Sequence, residues 1–405
     1  MFLNKWKTAR VGLILLAMIA FCSWRAEARE GGDATDSSVT AEKILQQTEV
    51  EGGMVVHLHC GDGRLTEKLC RGDRCHVQGL DTDAEKVQAA RNRLQKKGRY
   101  GTVTIEHFRG TSLPYTDSLV NVLVAEQLGD VPLSEVMRVL APGGVACIKR
   151  DGKWTKTVKP RPADIDDWTH YLHDASGNAV AADERVGHPR RLRWKSGPQW
   201  SRNHEFNPSI NALVSAGGRM FYLHDEGMLG LTDLRFPSRW SLVARDAFNG
   251  TLLWKRPLPN WGYREWNTVG MWSAPLTLNR RVVTDGKRVF VTLGYKAPVT
   301  VLDAATGEDI RTISDTRGTD EMLLIDGTLV LCVREKLSVA VPPKKKPNRR
   351  RNPHEYSIQA PGPAELVGIA RRAHRLDAGF VTSSAPTRSG SAKSLTRTIV
   401  SRWSP

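Results

Sequence analysis

The sequence predicts an α/β unit built on a parallel sheet, followed by an all-β array. Three observations predict it. From Ala41 to Lys149, short apolar runs alternate with stretches of helical period, the order that parallel strands joined by crossover helices require. The apolar run in VVHLHCGDGR, Val55 to Arg64, ends in a Gly-x-Gly turn, and Asp81 follows at the end of a second apolar run, HVQGL. Beyond Pro162, alternating strand signals recur behind Gly-Gly or Asp-Gly turns.

At the N-terminus, Lys5, Lys7 and Arg10 precede an apolar run from Val11 to Phe21, and Ala26-Glu27-Ala28 supplies a small-x-small cleavage site. Residues 1–28 therefore read as a secretory signal peptide, and residence in the periplasm or at the cell surface is expected. The run is short for a bilayer span, so no transmembrane segment is expected in the mature chain. Cleavage removes Cys22 and leaves Cys60, Cys70, Cys75, Cys147 and Cys332. These are too sparse for a disulfide framework, although a single bridge is compatible with an oxidising compartment. Cys60, Cys70 and Cys75 lie near His57, His59 and His76, but the spacing fits none of the usual zinc patterns, so no metal is expected there.

In the α/β unit, Met54 to Leu58 has the continuous apolar character of a buried parallel strand. Gly61 and Gly63 lack a Cβ, so the turn after it can be sharp and a ligand can approach its amides. At Asp81 a carboxylate can accept both hydroxyls of a ribose. Thr82 and Glu85 have capping-box spacing, Val87, Ala90 and Leu94 recur at helical period, and Gly98 stops the helix. VTIEHF and LPYTDSLVNVLV supply further strands, and EVMRVLAPGGVACIKR gives a helix end, a Pro-Gly-Gly turn and another strand.

Together these stretches resemble class I S-adenosylmethionine-dependent methyltransferases, over about Ala41 to Lys149. The resemblance rests on HLHCGDGR, GLDTDAEKVQAAR, LPYTDSLVNVLV and RVLAPGGV. It implies a Rossmann-like fold, S-adenosylmethionine as cofactor, and cofactor contacts at Gly61, Asp62, Gly63, Asp81 and Thr82, with Thr111 where an adenine-contacting acid is usual. It names no catalytic residue. The sequence departs from the family pattern at His57, where an acid is expected, at His59, where the first glycine is expected, and at Asn121, where a Phe-Asp pair is common. His57 cannot replace a carboxylate as a constant negative acceptor, and His59 adds bulk to the turn.

Residues 151–162, with two nearby prolines and no period, read as a linker. Residues 163–340 carry paired strand signals: SAGGRMFYL with LVARDAFNGTLLW, VTDGKRVFVTLG with VTVLDAATGEDI, and LLIDGTLVLCV. Asp285 and Asp326 open equivalent turns 41 residues apart, the length of a β-propeller blade. ARDAFNGTLLW and VLDAATGEDIR resemble the propeller repeats of pyrroloquinoline-quinone enzymes and their binding-protein relatives, and DDWTHYLHDASGN resembles the segment that opens that propeller. Only about three blades are present, fewer than a closed ring needs, so an incomplete β-propeller is expected. The quinone could be held only by a complete ring. His170, His173, Asp166, Asp167 and Asp174, with Arg202, His204 and Glu205 further on, could hold a metal or an acidic ligand, or could be hydrogen-bonding residues at a blade entry.

Residues 341–405 begin PPKKKPNRRRNPHEY and continue without a period, the composition of a disordered basic tail, while the abrupt loss of the strand pattern equally fits a truncated or frame-shifted product. The net charge of +16 is concentrated partly there and partly in the signal region, so no specific nucleic-acid partner is expected. Three readings stay open at this point: methyl transfer from S-adenosylmethionine, quinone-dependent oxidation, and a non-catalytic scaffold that binds a small molecule or protein.

Overall fold

The computed structural model describes residues 37–70, 72–185, 187, 192–197, 209–228, 238–262, 265, 276–334, 381–383 and 396–402. The stretch expected to be a signal peptide and most of the expected basic tail lie outside them. The chain divides into two compact units, residues 1–162 with 248–251, and residues 163–247 with 252–405.

The first unit opens with helix α1, residues 37–48. Strand β1 (Gly53–Leu58), helix α2 (Arg64–Lys68), β2 (Cys75–Asp81), α3 (Ala84–Lys96), β3 (Val103–His107), β4 (Val120–Ala125), α4 (Leu133–Val139), β5 (Leu140–Arg150) and β6 (Lys153–Val158) follow. The sheet order is β3-β2-β1-β4-β5-β6. β1 pairs in parallel with β2 and β4, β2 with β3, and β4 with β5. Both faces are covered, which is why the strands read as unbroken apolar runs. Val55, Val77, Ile105, Val122 and Val124 pack with Ala90 and Leu94 of α3, while Val56, Leu58, Leu80, Leu123 and Ala146 pack with Val136 and Val139 of α4. Each such Val, Leu or Ile side chain contributes roughly 1.5–3 kcal/mol by leaving water.

Three local expectations need correction. The stretch expected as a linker turns at Asp151-Gly152 and becomes β6, which pairs antiparallel with β5. Helix α3 is capped by Asp83, whose carboxylate accepts from the amides of Glu85 and Lys86, and Thr82 lies exposed just before it. Asp is as good an N-cap as Thr, and its position one residue later sets the helix start. The Pro-Gly-Gly stretch lies within β5, where the register against β4 jumps from Leu140 to Val145.

Among the described residues the second unit has three four-stranded antiparallel sheets. The first is β7 (Ile210–Ala216), β8 (Arg219–Asp225), β9 (Trp240–Asp246) and β10 (Leu252–Leu258). The second is β11 (Val282–Thr284), β12 (Arg288–Thr292), β13 (Val299–Asp303) and β14 (Asp309–Thr312). The third joins β15 (Thr319–Ile325) and β16 (Thr328–Arg334) to β18 (Thr396–Arg402) and β17 (Val381–Ser383), in the order β15-β16-β18-β17. Two stretches of the tail expected to be disordered are thus strands. Hairpin turns fall at Gly217-Gly218, Asp285-Gly286 and Asp326-Gly327; in the first and last both residues have positive φ, which fits the twist of antiparallel strands. Among the described residues the three sheets do not close into a ring.

The repeats meet through a recurrent contact. Trp254 Nε1 donates to the carbonyl of Ala304 at 3.1 Å, and its ring lies where a Cβ on Gly307 would fall at 2.6 Å. Trp194 Nε1 donates to the carbonyl of Ala247, also at 3.1 Å. Ala247 and Ala304 occupy the same place in the two Asp-Ala-x-x-Gly motifs, so one docking geometry is used twice.

Candidate functional site

At the end of β1 the chain turns through His59, Cys60, Gly61, Asp62 and Gly63, with φ of 54° at His59, 56° at Gly61 and 72° at Gly63. The turn closes on itself where the Gly63 amide donates to the Cys60 carbonyl at 3.0 Å. Asp81, at the end of the neighbouring β2, is 5% exposed. Its Oδ2 accepts from the Gly61 amide at 2.8 Å and its Oδ1 from the Asp83 amide at 3.0 Å. One carboxylate therefore ties the glycine turn to the start of α3. A carboxylate has about four lone-pair directions, so two hydrogen bonds leave acceptor capacity.

Gly61 faces open space: a Cβ there would meet nothing within 4 Å. Gly63 instead packs inward, where a Cβ would lie 3.3 Å from that of Ala90 on α3. Asp62 is exposed, accepts from the Arg64 amide and pairs with its guanidinium at 3.2 Å. Helix α2 is only one turn long and is fastened from outside, by Glu67 to Arg93 at 2.7 Å and to Lys97 at 3.2 Å.

His57 lies beneath the turn, 3% exposed. Its Nδ1 shares a 2.8 Å hydrogen bond with Thr66 Oγ1, and its Nε2 is buried without a hydrogen-bond partner among the described residues. Burial pulls its pKa down to about 4 against the opposing charge of Asp81, so the ring is neutral at pH 7. His59 is packed edge-on to Phe108 with ring centroids 5.7 Å apart. Its Nε2 is also buried without a hydrogen-bond partner among the described residues. Thr82 and Thr111 are exposed at the rim. The loop carrying Thr111 is held by Glu135, which accepts from the Leu113 amide at 2.7 Å and pairs with Arg138 at 2.7 Å.

The cysteines separate into two kinds. Cys70 and Cys75 form a disulfide that links the end of α2 to the start of β2. Cys60 is core: its sulfur sits against Gly79, and burial pushes its thiol up to about 12. Among the described residues no cluster of His, Cys, Asp and Glu could hold a metal.

The second candidate cluster is internally satisfied. His173 Nε2 and Asp166 Oδ2 lie 2.6 Å apart, and the same oxygen accepts from the Ala182 amide at 2.7 Å. Residues 167–170 form a strap across the first strands of all three sheets. The Asp167 carboxylate accepts from the Gly217 amide, Trp168 exchanges backbone bonds with Ser215 of β7, the Thr169 carbonyl accepts from Thr284 of β11, and His170 Nε2 accepts from the Leu324 amide of β15. These residues act as structure. Arg202, His204 and Glu205 lie outside the described residues.

A parallel sheet of this order, with a glycine turn after its first strand and a buried carboxylate after its second, is the Rossmann-like fold of S-adenosylmethionine-dependent methyltransferases. Residues 55–144 match the family model described as a methyltransferase domain, and the first unit is a methyltransferase-like domain. The chain is 27% identical over 110 residues to Methyltransferase GfsG of Streptomyces halstedii, a match covering 25% of this chain and 40% of that protein. The chain thus spans about 40% of the length of the curated relative it matches. Among solved structures, geranyl diphosphate C-methyltransferase from Streptomyces coelicolor is 21% identical with a TM-score of 0.26, over 27% of this chain and 44% of that one. A SAM-dependent methyltransferase from Aquifex aeolicus is 23% identical with a TM-score of 0.24, over 27% and 66%. Among the described residues no helix is long and apolar enough to cross a membrane.

Of the residues the sequence singled out, the structure brings Gly61 and Asp81 into hydrogen-bonding contact, with Gly63 in the same turn. Sequence reasoning missed Thr66, Phe108 and Gly129. Gly129 is a lone glycine after a strand, and nothing in its neighbours shows that it faces His59.

Proposed function

We propose that this is an exported protein whose first domain binds an adenosyl ligand of the S-adenosylmethionine class, and whose repeat sheets form a binding scaffold of the quinoprotein-propeller type. The observation that carries the first half is Asp81, a buried carboxylate that braces an open glycine turn and keeps acceptor capacity for ribose hydroxyls. Gly61, Asp62, Gly63, Asp81 and Thr82 would line the ligand, with Thr111 at the base end. S-adenosylmethionine, when bound, supplies an electrophilic methyl group on a sulfonium. The chain's own part is to hold that ligand in line with an acceptor. His57, neutral and buried, supplies no fixed negative charge for the ligand's ammonium group, so binding of the full cofactor is expected to be weak.

Export is supported by the basic and apolar N-terminus with its Ala26-Glu27-Ala28 site, and by the Cys70–Cys75 disulfide, a bond that persists in oxidising compartments. The methyl donor is made and kept in the cytoplasm, so little or no methyl transfer in the cell is expected. The doubled tryptophan docking and the strap over three sheets support the propeller-type reading of the repeats. Calorimetry with S-adenosylhomocysteine on the full chain is the test of the first domain. Millimolar-range binding lost in Asp81→Ala supports the site, and no heat from folded protein with either S-adenosylhomocysteine or adenosine removes it. Cell fractionation with N-terminal sequencing tests export: a cytoplasmic chain beginning at Met1 refutes it and promotes the methyltransferase reading.

A further inference from the structure

In an open parallel sheet a ligand lies beyond the carboxyl ends of the strands, at the point where strand order reverses. In the order β3-β2-β1-β4-β5-β6 that point lies between β1 and β4. His59 stands there. It is the first residue after β1, its left-handed backbone directs the chain into the turn, and its ring meets the loop that follows β4. A Cβ on Gly129 of that loop would lie 2.7 Å from His59 Nε2, and Gly129 itself has a φ of 56°. Phe108, 5% exposed, backs the imidazole at a centroid distance of 5.7 Å. The ring therefore fills the crevice between the ends of β1 and β4, while the turn remains open at Gly61 beside Asp81.

We infer that His59 is a specificity-determining residue that restricts the site to nucleosides with a short 5′ substituent. This rests on the adenosyl reading of the glycine turn. A ribose on Asp81, with its base toward the Thr111 loop after β3, directs its 5′ group toward β4 and so into His59. Adenosine or 5′-methylthioadenosine ends before the crevice. The amino-acid tail of S-adenosylhomocysteine enters it and meets a ring held between Phe108 and Gly129.

Isothermal calorimetry on the full chain with adenosine, 5′-methylthioadenosine and S-adenosylhomocysteine tests this, in the wild type and in His59→Gly. Glycine takes the observed φ without strain, and circular dichroism confirms that the variant is folded. The short nucleosides should bind the wild type at least about tenfold more tightly than S-adenosylhomocysteine. In His59→Gly, S-adenosylhomocysteine should gain about tenfold while adenosine changes less than about threefold. Wild-type preference for S-adenosylhomocysteine, or a ratio unmoved by His59→Gly, overturns the inference and leaves the adenosyl reading standing. No heat from any nucleoside with either protein overturns both.

Discussion

His57 at the glycine turn and His170 in the strap across the β sheets are both buried, and burial pulls the pKa of each down to about 4. They differ in what the second ring nitrogen meets. His170 accepts the Leu324 amide on Nε2 at 2.9 Å, so its neutral ring carries the proton on Nδ1, where Thr169 Oγ1 lies 2.7 Å away. His57 has Thr66 on Nδ1, and its Nε2 ends without a hydrogen-bond partner among the described residues. A buried polar atom left open costs stability unless something else repays it. The comparison teaches that composition does not separate a site from a joint. Two histidines near carboxylates in each unit looked alike in the sequence, and the count of satisfied nitrogens tells them apart.

The comparison can be broken most directly by making the same substitution at both positions. His170→Leu leaves the Leu324 amide unpaired and should lower unfolding free energy by about 2–3 kcal/mol in urea. His57→Leu removes an unsatisfied nitrogen from the core and should cost no more than about 1 kcal/mol, because Thr66 also lies in hydrogen-bonding reach of Cys60. Equal losses would show that the open nitrogen has no special standing.

Acid sharpens it next. Each ring has a folded pKa near 4, below the unfolded value of about 6.5, so between those limits the unfolded chain binds more protons and stability falls as pH falls. The neutral state of each contributes up to roughly 2–3 kcal/mol above pH 6.5, lost as pH falls toward 4. Urea midpoints measured across this window should show the acid slope reduced by about one proton in either leucine variant. A slope unchanged in both would mean that neither ring is held neutral.

The smallest effect lies at the edge of the glycine turn. Asp83→Ala removes the cap of α3 and should cost about 1 kcal/mol, while the adjacent Thr82→Ala should cost under about 0.5 kcal/mol. The reverse ranking would place the cap on Thr82 and shift the start of α3 relative to Asp81. Thermal unfolding of the two variants decides it.

By itself the sequence determined what local chemistry can dictate. The alternation of apolar runs with helical period set the parallel sheet, because a strand covered on both faces has no polar side to show. Glycine at Gly61 and Gly63 marked a turn with positive φ, and Gly217-Gly218 and Asp326-Gly327 marked hairpins for the same reason. Tertiary structure decided the rest. KWTKTV mixes exposed with half-buried residues and has no apolar face, and it is a strand because β5 offers it an edge. Cys70 and Cys75 are bridged because α2 ends beside the start of β2. His170 is a joint because Leu324, distant in sequence, brings its amide to it, and His59 fills the crevice because Gly129 leaves it room. Local propensity acts over a few residues, whereas the cysteines are five positions apart and His170 and Leu324 more than a hundred and fifty, and only the folded chain brings them within bonding distance.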